Sequence, residues 1–239
     1  MTLQNKVILI TGAAKRIGRA IALELHAKGA KVLIHYYNSE KEALETAAVC
    51  GNAPLLRANL TVLSEVEAMF EQIEKEFGAL FGLVNNAAIF QKRELMELSE
   101  ADWDQTLDLN LKAVFFCSKY GAALIKKSNN EGRIVNICSL GAFEAWPNHA
   151  HYNASKAGVL HLTRSLAVAL APQISVNAVA PGVVPFSPEE ELRLKPLIEK
   201  TPAKRAGTGE EIARAVAYFM EESTYLTGQT LLFDGGLSL

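Results

Sequence analysis

A phenol and an ammonium four residues apart, Tyr152 and Lys156 in the run HAHYNASKAGVLHLTRS, share one face of any helix that run forms. Together they make an acid. A neighbouring cation favours phenolate, so the spacing predicts that Lys156 draws the Tyr152 pKa down from about 10 toward working pH, where a proton donor acts best. The spacing alone is common on ordinary surface helices, and its meaning depends on the segments around it.

The N-terminal run KVILITGAAKRIGRAIALELHAKGAKVLIHYY reads as an apolar strand, a turn of small residues, an amphipathic helix and a second apolar strand, which is one βαβ unit. Gly12 follows the first strand, where the chain must turn tightly, and Gly18 lets the helix pack close. The free N–H groups and positive dipole end of that helix suit a pyrophosphate, with Lys15 and Arg16 adding charge. Arg16 stands where the dinucleotide fingerprint has its central glycine. Two further strands stop at polar residues, one at VNNAA (Asn85 to Ala88) and one at RIVNICS (Arg133 to Ser139). In an open parallel sheet ligands bind outside the carboxyl ends of the strands, so Gly12, Asn86 and Ser139 are predicted to line one edge.

The pattern along the chain predicts strands at Val7–Ile10, Val32–His35, Leu55–Ala58, Gly82–Asn85, Arg133–Ile137, Ser175–Val179 and Thr230–Phe233. Helices are predicted near Ile17–Lys28, Glu40–Val49, Ser64–Phe77, Ala101–Lys127, Tyr152–Ala171 and Glu210–Met220, with Ser99 as an N-cap. This alternation, with no Pro/Gly/Ser linker, describes an α/β chain of 239 residues: one domain, a doubly wound parallel sheet of about seven strands with helices on both faces. It stalls only from Val183 to Pro202, around EEELRLK, where either a solvated surface helix or a lid over the substrate fits.

Apolar residues at 49% and a net charge of −2 without a basic stripe argue against a disordered tail or a nucleic-acid binder. Cys50, Cys117 and Cys138 lack Cys-x-x-Cys spacing, so neither a metal site nor a disulfide framework is indicated. No charged leader with an apolar core opens the sequence and no run approaches a membrane span, so a cytoplasmic protein without membrane contact is expected. A P-loop phosphotransferase is set aside because Gly-Lys-Ser/Thr is missing after the first strand.

At this point the chain resembles the short-chain dehydrogenase/reductase family, from about Lys6 to Gly236, and hence a Rossmann-like fold. TGAAKRIG is similar to that family's cofactor loop, VNNAA to its Asn-Asn-Ala motif, and Asn110 in LDLNLKAVFF to its helix asparagine. VNAVAPG and LTGQTLLFDGG resemble its later cofactor loop and closing strand. The resemblance implies catalysis by Asn110, Ser139, Tyr152 and Lys156: Tyr152 gives the proton, Lys156 tunes it and holds the ribose, Ser139 binds the substrate heteroatom, and Asn110 completes a relay through its backbone carbonyl. That last role needs a local break in the long helix, which nothing in the sequence announces. Carried over in the same way, the coenzyme site comprises Gly12, Lys15, Arg16, Ile17, Tyr37, Asn38, Ser39, Asn59, Leu60, Asn86, Ala87, Ala88, Tyr152, Lys156, Pro181, Gly182 and Val183. Asn59 replaces the family's aspartate beside adenine, its amide oxygen accepting from the adenine amino group. Family members commonly form homotetramers, or homodimers, through the helices matching Ala101–Lys127 and Tyr152–Ala171 and the last strand.

Coenzyme choice rests on the end of the second strand, where a carboxylate would accept a ribose hydroxyl and repel a 2′-phosphate. His35, Tyr36, Tyr37, Asn38 and Ser39 supply no acid there, so NADPH/NADP+ is expected. TGAAKRIG, the HYYNS turn and NNAAIF also resemble the pteridine reductases, which implies a pterin stacked on Phe90 and a substrate site of Arg16, Phe90, Ser139 and Tyr152. Phe90 as a core anchor of its loop is the plainer reading. Ser139 stands where those reductases carry aspartate and fits the broader family, whose members reduce ketones including 3-oxoacyl thioesters. The expected activity is thus NADPH-dependent reduction of a small carbonyl or conjugated imine, a pterin being one candidate. The alternatives are a 3-oxoacyl-thioester or other ketone reductase, or a non-catalytic nucleotide sensor on the same fold.

Overall fold

The computed structural model describes residues 2–128 and 131–239. In chain order the elements are β1 (Val7–Ile10), α1 (Arg16–Ala27), β2 (Lys31–Tyr36), α2 (Glu40–Val49), β3 (Leu55–Arg57), α3 (Leu63–Phe77), β4 (Gly82–Asn85), α4 (Glu100–Leu107), α5 (Ala113–Lys127), β5 (Gly132–Ile137), α6 (Ala150–Leu170), β6 (Ile174–Pro181), α7 (Pro188–Lys200), α8 (Gly209–Glu221) and β7 (Thr230–Phe233). The seven strands form one parallel sheet in the order β3-β2-β1-β4-β5-β6-β7. Because β1 pairs with β2 on one side and β4 on the other, the order reverses between them, and the crevice outside their carboxyl ends is where such sheets take ligands.

Inner strands such as VILI are continuous apolar runs because both of their faces are covered. On one face Ile21 and Leu25 of α1 meet Val216 and Met220 of α8, with Ala43 and Ala47 of α2 in the same cluster. On the other, Val66 and Phe70 of α3 pack with Leu124 and Ile125 of α5. Each fully buried Ile or Leu in these layers stabilises the fold by about 1.5–3 kcal/mol. Polar cross-links join the layers: Asn85 donates to Ser118 Oγ (2.9 Å) and Asn136 Oδ1 (2.8 Å), and Asn136 donates to Thr163 Oγ1 (2.9 Å). A buried amide chain satisfied in this way fixes β4, β5, α5 and α6 relative to one another.

One segment differs from the sequence expectation, and a second takes one of the two forms expected of it. The long helix over Ala101–Lys127 contains a π-helical turn, Asp108–Lys112, between α4 and α5, where the Ala113 N–H reaches Asp108 O. This is the break that the pattern could not announce, since apolar spacing hardly changes across one widened turn. The Val183–Pro202 stretch carries α7, started by Ser187, whose hydroxyl accepts from the Glu190 N–H, and by Pro188 in the first turn, and it buries none of its residues. The Ser99 cap of α4 forms as predicted, its hydroxyl accepting from the Asp102 N–H and its own N–H donating to the Asp102 carboxylate.

Candidate active site

The loop after β1 is held by contacts that explain its residues one by one. Gly12 has φ +63°, and a Cβ there would lie 2.9 Å from the Ala87 backbone; a Cβ on Gly18 would lie 2.2 Å from Gly12 O. Neither position accepts a side chain without moving backbone. Asn86 donates to Thr11 O (2.9 Å) and Gly12 O (3.0 Å), while Thr11 Oγ1 accepts from the N–H groups of Asn86 and Ala87. Asn86, expected as a coenzyme contact, thus has its amide nitrogen committed to shaping the loop.

His35 is a residue whose role sequence reasoning missed. It is buried at the end of β2, where Nδ1 accepts from the Gly12 N–H (3.0 Å), so the proton sits on Nε2, which donates to Ala58 O (3.0 Å). Burial holds its pKa down at about 4, so the ring is neutral. The only sequence signal is a titratable residue inside an otherwise apolar strand.

A groove of about 650 Å³ runs along this edge, lined by Gly12, Lys15, Arg16 and Ile17, by Tyr37, Asn38 and Ser39, by Asn59 and Leu60, and by Asn86, Ala87 and Ala88. These residues fit a dinucleotide. The start of α1 has no side-chain cap and no acid in its first turn, leaving its free N–H groups for an anion. Arg16 adopts φ +56°, the conformation that makes glycine usual at this place, and its side chain reaches α7, where it pairs with Glu190 and lies 5.2 Å from the Phe186 ring centre. Pro181, Gly182 and Val183 are not part of the groove's lining; Pro181 ends β6, and the Gly182 N–H just beyond it bonds Phe233 O. Asn59 departs from expectation, because its Oδ1 already accepts from Thr61 N (3.1 Å) and Thr61 Oγ1 (2.8 Å), a local turn that occupies the oxygen assigned to adenine.

Ser139, Tyr152 and Lys156 converge, all buried, at the carboxyl end of β5. Lys156 Nζ donates to Ile137 O (2.9 Å) and lies 5.8 Å from the Tyr152 ring centre. The neighbouring Ser139 side chain favours the ionised form of the phenol, against the larger effect of burial. The expected depression of the Tyr152 pKa is not what the structure gives. Burial pushes the phenol up to about 12 and the Lys156 ammonium down to about 8, because loss of water disfavours the charged form of each group and dominates both shifts. Asn110 is fully buried beside them, its amide exchanging two bonds of 2.9 Å with the Ile89 N–H and C=O and donating to Ser155 Oγ (3.3 Å). Its side chain therefore fixes the loop that carries Phe90. That ring is 59% exposed, which rules out the core-anchor reading, and it lies edge-on to Tyr152 at 4.7 Å.

Among the described residues no group of His, Cys, Asp or Glu is arranged to hold a metal, and no helix is long and apolar enough to cross a membrane. Cys50, Cys117 and Cys138 are buried free thiols.

A family model described as enoyl-(acyl carrier protein) reductase matches residues 12–238. The 3-oxoacyl-(acyl-carrier-protein) reductase of Synechocystis sp. is 37% identical over 242 residues, 98% of this chain and 98% of that protein. Nodulation protein G of Rhizobium sp. is 37% identical across 99% of this chain and 98% of its own. Among solved structures, a doubly substituted short-chain dehydrogenase/reductase of Serratia marcescens aligns with a TM-score of 0.92 at 32% identity over 100% of both chains. A Brucella melitensis protein titled short-chain dehydrogenase/reductase, glucose/ribitol dehydrogenase, gives 0.91 at 31% over 100% of this chain and 99% of its own. With a matching family model from the glycine loop almost to the last residue, and relatives of this identity along their full length, the chain belongs to the short-chain dehydrogenase/reductase family and is an NAD(P)-dependent oxidoreductase.

Proposed function

We propose that this enzyme reduces a ketone with NADPH, and that its substrate class is the 3-oxoacyl thioester. The juxtaposition of the Tyr152 hydroxyl with Ser139 and Lys156 carries the reduction, and the printed names of the 37%-identical relatives carry the thioester. The pterin implied by Phe90 and the cofactor loop finds no such support among these relatives, and Ser139 suits a ketone. Bound coenzyme supplies the hydride. Ser139 and Tyr152 hold the carbonyl oxygen, so that charge building there during reduction meets two donors, and Tyr152 passes its proton to that oxygen. A phenol of pKa about 12 stays protonated and ready to donate, while the Lys156 ammonium lowers the energy of the phenolate as it forms. Asn110 holds Ile89 and lies within the π turn, where widened hydrogen bonding frees a carbonyl for a water relay to Lys156.

Lys15, Arg16, Asn38 and Ser39 receive the 2′-phosphate, since no carboxylate lines that part of the groove. A panel of acetoacetyl thioesters, simple ketones and dihydropterins, followed by loss of NADPH absorbance, is expected to give its highest kcat/KM with the thioester, and a lower one with NADH. Turnover confined to dihydropterins, or a preference for NADH, overturns the corresponding part of the reading.

The 183–202 stretch acts as a lid of the single domain. Glu190 joins the Phe186 N–H (3.0 Å) to Arg16, so α7 is tied to the cofactor loop. A half-exposed ion pair is worth at most about 1 kcal/mol, and Glu190→Gln is therefore expected to speed NADPH dissociation about two- to fivefold in stopped flow. Slower dissociation instead identifies Glu190 as a competitor for Arg16. Assembly as a homotetramer is supported by apolar side chains left exposed on the long helices and last strand, Phe115, Val168, Leu231 and Leu232. Light scattering is expected to give four copies.

A further inference from the structure

Phe90 does not stand alone. His149 lies parallel to it at 4.7 Å and 9°, and Trp146 lies parallel to Tyr152 at 6.3 Å and 11°. The two pairs cross, with Phe90 at 69° to Tyr152 and 80° to Trp146, and Trp146 at 86° to His149. The four rings form a corner around the phenol. Each wall is fixed from behind. The Ile89 backbone is clamped by Asn110, Trp146 Nε1 donates to Glu144 Oε2 (3.2 Å), and the Trp146 carbonyl accepts from Asn153 (3.3 Å). His149 Nδ1 donates to Pro147 O (2.8 Å), and the Arg93 N–H bonds Asn148 O (2.9 Å), which ties the two ring-bearing loops together. Phe90 is exposed and Trp146 and His149 are half-buried, so these rings, held in place beside a reacting hydroxyl, are not fully spent on the core, and their arrangement matches a flat ligand.

Resting on the reading of the site as a ketone reductase, we propose that Trp146 and His149, with Phe90, form an aromatic wall that selects 3-oxo substrates bearing a planar conjugated ring on the keto carbon. The test pairs benzoylacetate and acetoacetate thioesters of one thiol, so that only the group on the keto carbon changes, and the quantity read is the ratio of kcat/KM, phenyl over methyl. Phe90→Leu and Trp146→Leu are each expected to lower this ratio about fivefold relative to the unsubstituted enzyme, the scale of one lost ring–ring contact. A ratio unchanged in both variants overturns the wall. If the enzyme turns over neither thioester, the reduction itself is what has failed, and the wall is then read with NADP+ bound from quenching of tryptophan emission by benzoylacetate. Quenching that Trp146→Leu abolishes supports the wall, and quenching that persists in that variant refutes it, since Trp103 is then the reporter.

Discussion

Tyr152→Phe is expected to lower kcat for ketone reduction by about 10²–10⁴-fold while leaving the fold and NADPH binding intact, because the change removes one hydroxyl and keeps the ring that Phe90 and Trp146 pack against. Steady-state kinetics beside coenzyme titration measures both. Turnover unchanged for every accepted substrate would point to the non-catalytic reading of the fold. The pH profile separates the roles of the two residues. With the phenol near 12 and the ammonium near 8, the group that changes charge in the accessible range is Lys156. Reduction needs its cationic form, so kcat is expected to fall above pH 8, and Lys156→Arg, which keeps the charge, moves that limb upward. A limb that stays in place in Lys156→Arg assigns the titration elsewhere.

How much of this was legible follows from what each signal encodes. Strand runs such as VILI and TLLF were readable because a buried strand imposes a short apolar run between turn residues, and β1, β4 and β7 begin and end where the pattern put them. Gly12, Asn86, Ser139, Tyr152 and Lys156 were readable as a set because they end strands or begin a helix on one edge of a parallel sheet. The π turn at Asn110 was not, since it alters one hydrogen-bond register and leaves composition untouched. The sense of the Tyr152 shift was misjudged for a related reason. Spacing tells which groups face each other, but the balance between their attraction and their loss of water depends on a burial that only the packed structure supplies. Phe90 shows the same limit, because exposed and buried loop aromatics look alike in sequence.

His35 connects the stability of the fold to the coenzyme site. Its folded pKa of about 4 lies below the ordinary value of 6.5, so between these values the unfolded chain binds more protons than the folded one. The sign follows: stability from this group is complete above pH 6.5, is lost as pH falls toward 4, and changes no further below. A shift of this size corresponds to about 3 kcal/mol. His151, also pushed down by burial, adds to the loss in the same direction. Denaturant unfolding from about pH 7 to about pH 4 is therefore expected to trace a steep decline in the unsubstituted protein and a shallower one in His35→Gln, which starts lower because the imidazole bridge is gone. A gap between the two curves that stays constant with pH would remove His35 as the cause. Protonation also has a local consequence, since an imidazolium presents a second N–H to the Gly12 N–H, donor against donor. The loop that shapes the pyrophosphate end of the groove loses its support at the same pH. The Kd for NADPH is accordingly expected to rise on acidification through this window, more steeply in the unsubstituted enzyme than in His35→Gln.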